Sequence, residues 1–311
     1  LVGSEMCIRD RWKTIFNWSK NNSMVESLPE GIDKIQIGSG VYNVKSYAEV
    51  GKPYGAIYAK TFKRDAEGYI LCQLDGSPKE GQDYEYLGCV QADWRGGWNN
   101  VFRLGNFSFS VMFDFQKGGK FFSQTSIQSS VDGQSVKSLE GRDADFFSRK
   151  ILGESDEERY GFMRPQNANT PTANGQIYPD WGRPKGVVLP NCRYDEDVEG
   201  LAGQQVLGYC TPERYWMHYT SRDISRFIYD ASYVKLREIT VSYDLPKKWL
   251  RKTPFQTFRV AAVGRNIATL FANTPHGLDP QATSTTGNAQ GFERGFNLPS
   301  ATYGFDIKVS F

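Results

Sequence analysis

Phe107–Phe115 reads FSFSVMFDF, with Phe107, Phe109, Val111, Phe113 and Phe115 alternating with Ser108, Ser110, Met112 and Asp114. Successive side chains of an extended chain point to opposite faces, so this spacing predicts a β-strand with one apolar and one mostly polar face. Trp94–Leu104, just upstream, reads as a second strand. Leu104-Gly105-Asn106 joins the two with residues that tolerate left-handed backbone, which predicts an antiparallel hairpin. The same period returns at Ile239, Val241, Tyr243 and Leu245 and stops at Pro246, which has no N–H to give to a ladder. It is weaker over Phe258–Ala268. At the end of the sequence Tyr303, Phe305, Ile307, Val309 and Phe311 alternate with Gly304, Asp306, Lys308 and Ser310. Fainter strands are expected at Gly55–Phe62 and Tyr69–Gln73, joined through Asp65-Ala66-Glu67-Gly68, for about seven or eight antiparallel strands in all.

Composition agrees with an all-β reading. Aromatic residues make up 14% of the 311 residues and Gly numbers 31, a profile of strand and turn formers. The formal charge of +2 comes without a dense basic run, so no nucleic-acid partner is expected. No stretch approaches the ~18 consecutive apolar residues of a membrane-spanning helix. A barrel strand crosses on alternate residues only, so a mean hydropathy of −0.52 is compatible with a β-barrel. The opening residues, LVGSEMCIRDR, lack the layout of a signal peptide, begin without Met and resemble adapter-derived sequence. Residues 1–11 are therefore expected to be a non-native leader, with the native reading beginning near Trp12 in a chain that looks truncated.

The connections sort by side. If the C-terminus lies on the inner side, the inner connections are Leu104–Asn106 and Pro246–Phe255. The outer ones are Gly118–Asp230 and Asn273–Leu298, both long. Short turns on one side and long loops on the other are the asymmetry of an outer-membrane barrel. A structureless connection of that length would count against a compact soluble domain.

Several segments resemble the SusC/RagA-like TonB-linked outer-membrane transporters of gram-negative bacteria. They are Phe16–Leu28 (FNWSKNNSMVESL), Glu49–Tyr58 (EVGKPYGAIY), Asp83–Trp98 (DYEYLGCVQADWRGGW), Phe227–Pro246 (FIYDASYVKLREITVSYDLP), Val263–Leu270 (VGRNIATL), Gly277–Pro280 (GLDP) and the terminal strand. The resemblance covers nearly everything after residue 11. It implies that residues 12–311 are the C-terminal part of a transmembrane barrel of about 22 strands with a plugged lumen, the plug domain and TonB box lying upstream. It implies an outer-membrane location, a SusD-like surface lipoprotein and TonB-ExbB-ExbD as partners, contact with outer-membrane lipid, and TonB-dependent import of oligosaccharides or peptides. Tyr303, Phe305, Ile307, Val309 and Phe311 are then expected to be the signal read by the membrane-assembly machinery.

Enzyme chemistry finds little material. His218 and His276 lack ligand or triad partners at short spacing, Gly38-Ser39-Gly40 reads as a turn, and no cofactor is expected. Asp195, Glu196, Asp197 and Glu199 lack the order of a calcium loop and read as a solvated acidic run. Cys192 and Cys210 could pair in an oxidising compartment, with separate thiols the preferred reading. Trp181, Tyr194, Tyr209, Tyr215, Trp216 and Tyr219 place rings in the outer segment, with Trp181, Tyr215 and Trp216 as weak ligand candidates. Such rings either stack on a ligand or pack the loops against each other. The alternative is a secreted or surface β-sandwich binding carbohydrate, which would bury Phe107–Phe115 between two sheets. A β-rich glycoside hydrolase would need a carboxylate pair that nothing in the sequence singles out.

Overall fold

The structure, a computed structural model, describes residues 10–74, 76–140, 187–210, 212–275, 277–282, 290–295 and 300–311, leaving out the side chains of 188, 190, 207, 209 and 213. In chain order the strands are Asp10–Ser19 (β1), Lys34–Ser39 (β2), Lys45–Glu49 (β3), Ala56–Ala59 (β4), Ile70–Cys72 (β5), Glu85–Cys89 (β6), Trp94–Leu104 (β7) and Phe107–Lys117 (β8). They continue with Lys120–Ser123 (β9), Val187–Tyr194 (β10), Gln205–Cys210 (β11), Ile228–Asp230 (β12), Tyr233–Asp244 (β13), Thr257–Ala272 (β14), Phe292–Glu293 (β15) and Thr302–Ser310 (β16).

Six long strands form one antiparallel sheet in the order β1-β7-β8-β13-β14-β16. The expected β7–β8 hairpin closes through Gly105-Asn106, with Leu104 opposite Phe107 and Gly105 at φ 59°, a value that favours glycine. The strands expected at 55–62 and 69–73 form as β4 and β5 but pair in smaller sheets, so the continuous wall has six strands. The leader assigned to residues 1–11 overlaps β1, where Asp10 and Arg11 pair with Leu104 and Arg103.

Register carries the alternation across the wall. Phe109 lies opposite Phe102 on one side and Val241 on the other, and Val241, Ala262 and Phe305 continue the row. One face thus collects Trp12, Phe16, Trp98, Phe102, Phe107, Phe109, Val241, Tyr303, Phe305 and Ile307, all exposed, with Phe107 at 57% and Phe305 at 86%. No second sheet covers this face among the described residues, so the sandwich alternative is not what forms. β8, with 11 residues at about 3.4 Å each and a tilt of about 40°, spans roughly 26 Å, close to the ~25 Å apolar band of a transmembrane barrel.

The strand directions place Gly105-Asn106 and the β13–β14 connection at one end of the sheet, the turn end. At the other, the loop end, the chain leaves the sheet after Ser19, Lys117 and Ala272 and re-enters it at Trp94, Tyr233 and Thr302. The connections at the loop end build sheets of their own, β2-β3-β4-β6, β11-β10-β5 and β12-β9-β15. Gly38 and Ser39 close β2, so the expected turn shifts to Gly40–Val44, where the Gly40 N–H donates to the Val44 carbonyl.

Val111 and Met112 are neighbours near mid-strand pointing to opposite faces. Val111→Lys is expected to cost about 2–4 kcal/mol of stability in a bilayer and Met112→Lys, on the polar face, under about 1 kcal/mol. Urea titration of the chain folded into lipid vesicles reads both, and equal costs would contradict this assignment of faces.

Candidate functional site

The polar face is held by ions. Asp244 accepts from Arg259 (2.6 and 2.9 Å) and lies 3.4 Å from Arg103, and Glu238 accepts from Arg265 at 3.0 Å. Arg11, Lys13, Arg103 and Arg259 border a groove of about 400 Å³ at the turn end. Polar groups on the apolar face are satisfied locally. Trp12 Nε1 donates to Asn100 at 3.2 Å and Trp98 Nε1 to Thr14 at 2.8 Å, so the indole rings shield polar side chains from hydrocarbon.

At the loop end the polar face is bolted to the outer segment. Lys235 is 1% exposed; its Nζ donates to the Asp279 carboxylate at 2.6 Å and to Gln281 at 3.0 Å. Arg237 reaches Gln281 at 2.7 Å and also binds Asp114, while Gln281 donates to the Tyr233 hydroxyl at 2.5 Å. The YVKLRE stretch of β13 and the GLDP stretch after β14 therefore form one network. Nothing in the sequence marked this pairing across 44 positions.

Two apolar cores sit in the outer segment. One joins Phe62, Ile70, Cys72, Val187, Leu189, Cys192 and Cys210 with Tyr215, Trp216 and Tyr219; the other joins Val44, Ile57, Ala59, Phe122, Ile127, Ile224, Phe227 and Phe292. Tyr215 and Trp216 are each 1% exposed and T-stacked at 5.1 Å, so they pack the loops. Tyr194 and Tyr219 are buried too, whereas Trp181, His276 and the Tyr209 side chain lie outside the described residues. His218 is exposed. Cys192 and Cys210 share the first core without a disulfide between them. Tyr303, Phe305, Ile307 and Phe311 of the expected assembly signal are exposed on or just beyond β16, and Val309 is half-buried.

Asp195 corrects the solvated-run reading. Its carboxylate is buried and accepts from Lys63 (2.9 and 3.0 Å) and Lys79 (2.8 Å), and Lys79 also reaches Asp197 at 2.5 Å. Burial pushes this carboxyl up, but the two ammonium groups and the Glu196 N–H outweigh it and bring the pKa to about 2. No group of three His, Cys, Asp or Glu that could hold a metal occurs among the described residues.

Sequence reading also missed a tyrosine ladder on the outer sheet. Strands β2, β3, β4 and β6 turn Ile57 and Ala59 into the second core and present Tyr47, Tyr58 and Tyr86 on the other face, with ring centroids 5.3 and 5.7 Å apart. Lys34 and Lys52 lie over these rings at 4.7–5.3 Å. Alternation of Lys45, Tyr47 and Glu49 was the available signal, too short to read as a strand by itself. Beside this sheet a cavity of about 490 Å³ is lined by Asn21, Tyr54, Gln91, Trp94, Arg95 and Gln290.

An apolar face turned outward, an ionic face turned inward, short turns at one end and structured loops at the other define a wall segment of a large transmembrane β-barrel. No protein-family model matches the chain. It is 23% identical over 314 aligned residues to TonB-dependent receptor P3 of Formosa agariphila, the match covering 94% of this chain and 25% of that protein. Solved structures of the RagAB peptide importer share the fold: the open-open state at TM-score 0.53, 14% identity and 98% of this chain against 27% of that one, and the closed-closed state at 0.51, 15%, 98% and 28%. The chain spans about a quarter of the length of the proteins it matches. The resemblance to SusC/RagA-like TonB-linked transporters read from the sequence therefore holds. These relatives are a receptor and an importer rather than enzymes.

Two outcomes test the site. Lys235→Ala leaves Asp279 buried without its cation and is expected to cost about 3–5 kcal/mol, the double variant with Asp279→Ala costing less than the sum; hydrogen exchange over 277–282 reads the loss of the latch. The folded pKa of Asp195 lies below its ordinary ~3.9, so its contribution of about 2 kcal/mol is present above that value and lost as pH falls toward 2. Asp195→Asn is expected to remove this acid step from exchange of the β5–β10 amides.

Proposed function

We propose that residues 12–311 are wall and outer loops of an outer-membrane importer of oligosaccharides or peptides, energised through TonB-ExbB-ExbD and working with a SusD-like surface lipoprotein. The observation that carries this reading is the uncovered apolar face backed by an ionic one, an arrangement that suits a wall between hydrocarbon and an aqueous lumen. The plug and TonB box of such a machine would lie in the part of its relatives that this chain does not span. Within that frame Tyr303, Phe305, Ile307, Val309 and Phe311 act as the assembly signal, since an edge strand with alternating exposed rings is available for recognition.

The outer segment is the region that meets cargo or lid. Trp181 stays a ligand candidate; Tyr215 and Trp216, sealed in a core, would act by holding the loops in shape. Tyr47 and Tyr86 offer ring surface outside those cores, Tyr86 being 42% exposed and Tyr47 half-buried, with Tyr58 buried between them.

Deleting the gene that carries this chain is expected to abolish growth on one class of oligosaccharide or peptide, and collapse of the proton gradient should stop the same uptake. In the restored strain Tyr47→Ala with Tyr86→Ala is expected to lower uptake severalfold at unchanged protein level in the outer membrane. Growth unaffected by deletion on every such nutrient, or recovery of the protein in the soluble fraction, would remove the proposal.

A further inference from the structure

The β13–β14 connection is the most basic stretch at the turn end. Pro246–Phe255 reads PKKWLRKTPF, and no Asp or Glu occurs between Asp244 and Asp279. Lys247–Leu250 forms one helical turn that buries Leu250 and leaves Lys247, Lys248, Trp249, Arg251 and Lys252 exposed, Trp249 at 61%. None of the four cations meets a carboxylate among the described residues. The nearest acid in sequence, Asp244, is already engaged by Arg103 and Arg259.

Two features separate this stretch from an ordinary solvated run. Trp249 presents a large ring to the outside from a helical turn that also carries the exposed Lys247 and Lys248. The connection also continues the apolar face at its rim, where Phe255 packs on Phe258 (5.9 Å) and Phe311 (5.3 Å) and Phe107 on Tyr243 (4.6 Å). Amphipathic rings collect where hydrocarbon gives way to headgroups, and Lys and Arg beside such a belt reach the phosphates.

We propose that Lys247, Lys248, Arg251 and Lys252, with Trp249 as the ring that enters the interface, form a docking surface for anionic phospholipid headgroups on the turn side of the membrane. Charge complementarity and continuity with the apolar belt select this occupant: four cations without a carboxylate partner among the described residues, and an indole, suit a sheet of phosphodiesters bordering acyl chains better than an aqueous partner. The surface anchors the turn end and sets the depth of β13 and β14. The inference rests on the wall reading above.

The test folds the chain into vesicles of equal phosphatidylcholine and phosphatidylglycerol in which one lipid or the other carries bromine next to its headgroup. Trp249 emission is the difference between wild type and Trp249→Phe. It is expected to be quenched about twice as strongly by the brominated phosphatidylglycerol, since each engaged cation enriches the anionic lipid locally. Lys247→Gln with Lys248→Gln, Arg251→Gln and Lys252→Gln should equalise the two, as should roughly 1 M salt, which shortens the screening length to about 3 Å in unmodified protein. Equal quenching in wild type, or a preference that survives in the fourfold variant, overturns the inference. Failure of the chain to enter vesicles of either composition strikes the wall reading instead.

Discussion

Everything in this chain depends on where a backbone amide can find a partner. In hydrocarbon there is no water to take an unpaired N–H or carbonyl, so only a laterally bonded ladder is stable there. β7, β8, β13 and β14 meet that constraint with a bonded neighbour on each side, while β1 and β16 are bonded on one side and form the two edges of the described sheet. The ladder then fixes a side-chain period of two, and the period decides which residues meet lipid. At about 1.5–3 kcal/mol per large apolar side chain, the outward rings offer on the order of 20 kcal/mol to a membrane and impose a similar cost on exposure in water. That asymmetry makes the wall a membrane element and not a soluble sheet.

Local irregularities in the ladder have specific causes. Gly96 lies on the apolar face where a Cβ would come within 2.2 Å of the Phe115 ring. Its absence lets Phe115 lie across the strand between Phe16 and Trp94, at 5.7 Å from each. Opposite the register shift between Leu236 and Glu238, Asn266 stands at φ 52°, a conformation Asn tolerates better than most residues. Arg237, the displaced residue of β13, is thereby freed to bind Asp114 and Gln281, so the bulge supplies the arm that helps fasten the outer segment.

Much of the wall was legible because its signal is local. Phe107–Phe115 and Tyr303–Phe311 each show the period within a few residues, and Pro246 marks the stop without help from tertiary contacts. The outer sheets were legible only in part. β4 and β5 form inside the expected 55–62 and 69–73, but they are buried on both faces and show no alternation, so nothing local told which strands they would pair with. Asp195 sits in an acidic run that looks solvated until β5 and the Lys63 and Lys79 strands of chain close around it. Tyr215 and Trp216 look like ligand rings for the same reason: burial is a property of the fold, and a tyrosine or tryptophan serves a core as readily as a sugar.

The division between wall and loops also divides the kinds of stability in one chain. The wall lacks a core of its own and is stabilised by the solvent around it, whereas the outer segment carries two closed apolar cores and a buried Asp195 that need no membrane. Lys235 and Asp279 stand where the two regimes meet, a buried ion pair at the edge of the ladder. Such a pair adds little net stability over apolar packing but is costly to break, because either partner left alone is a buried charge. Its effect is therefore one of geometry: it ties the 277–282 segment to a single strand position, so that the loops share the register of the wall beneath them.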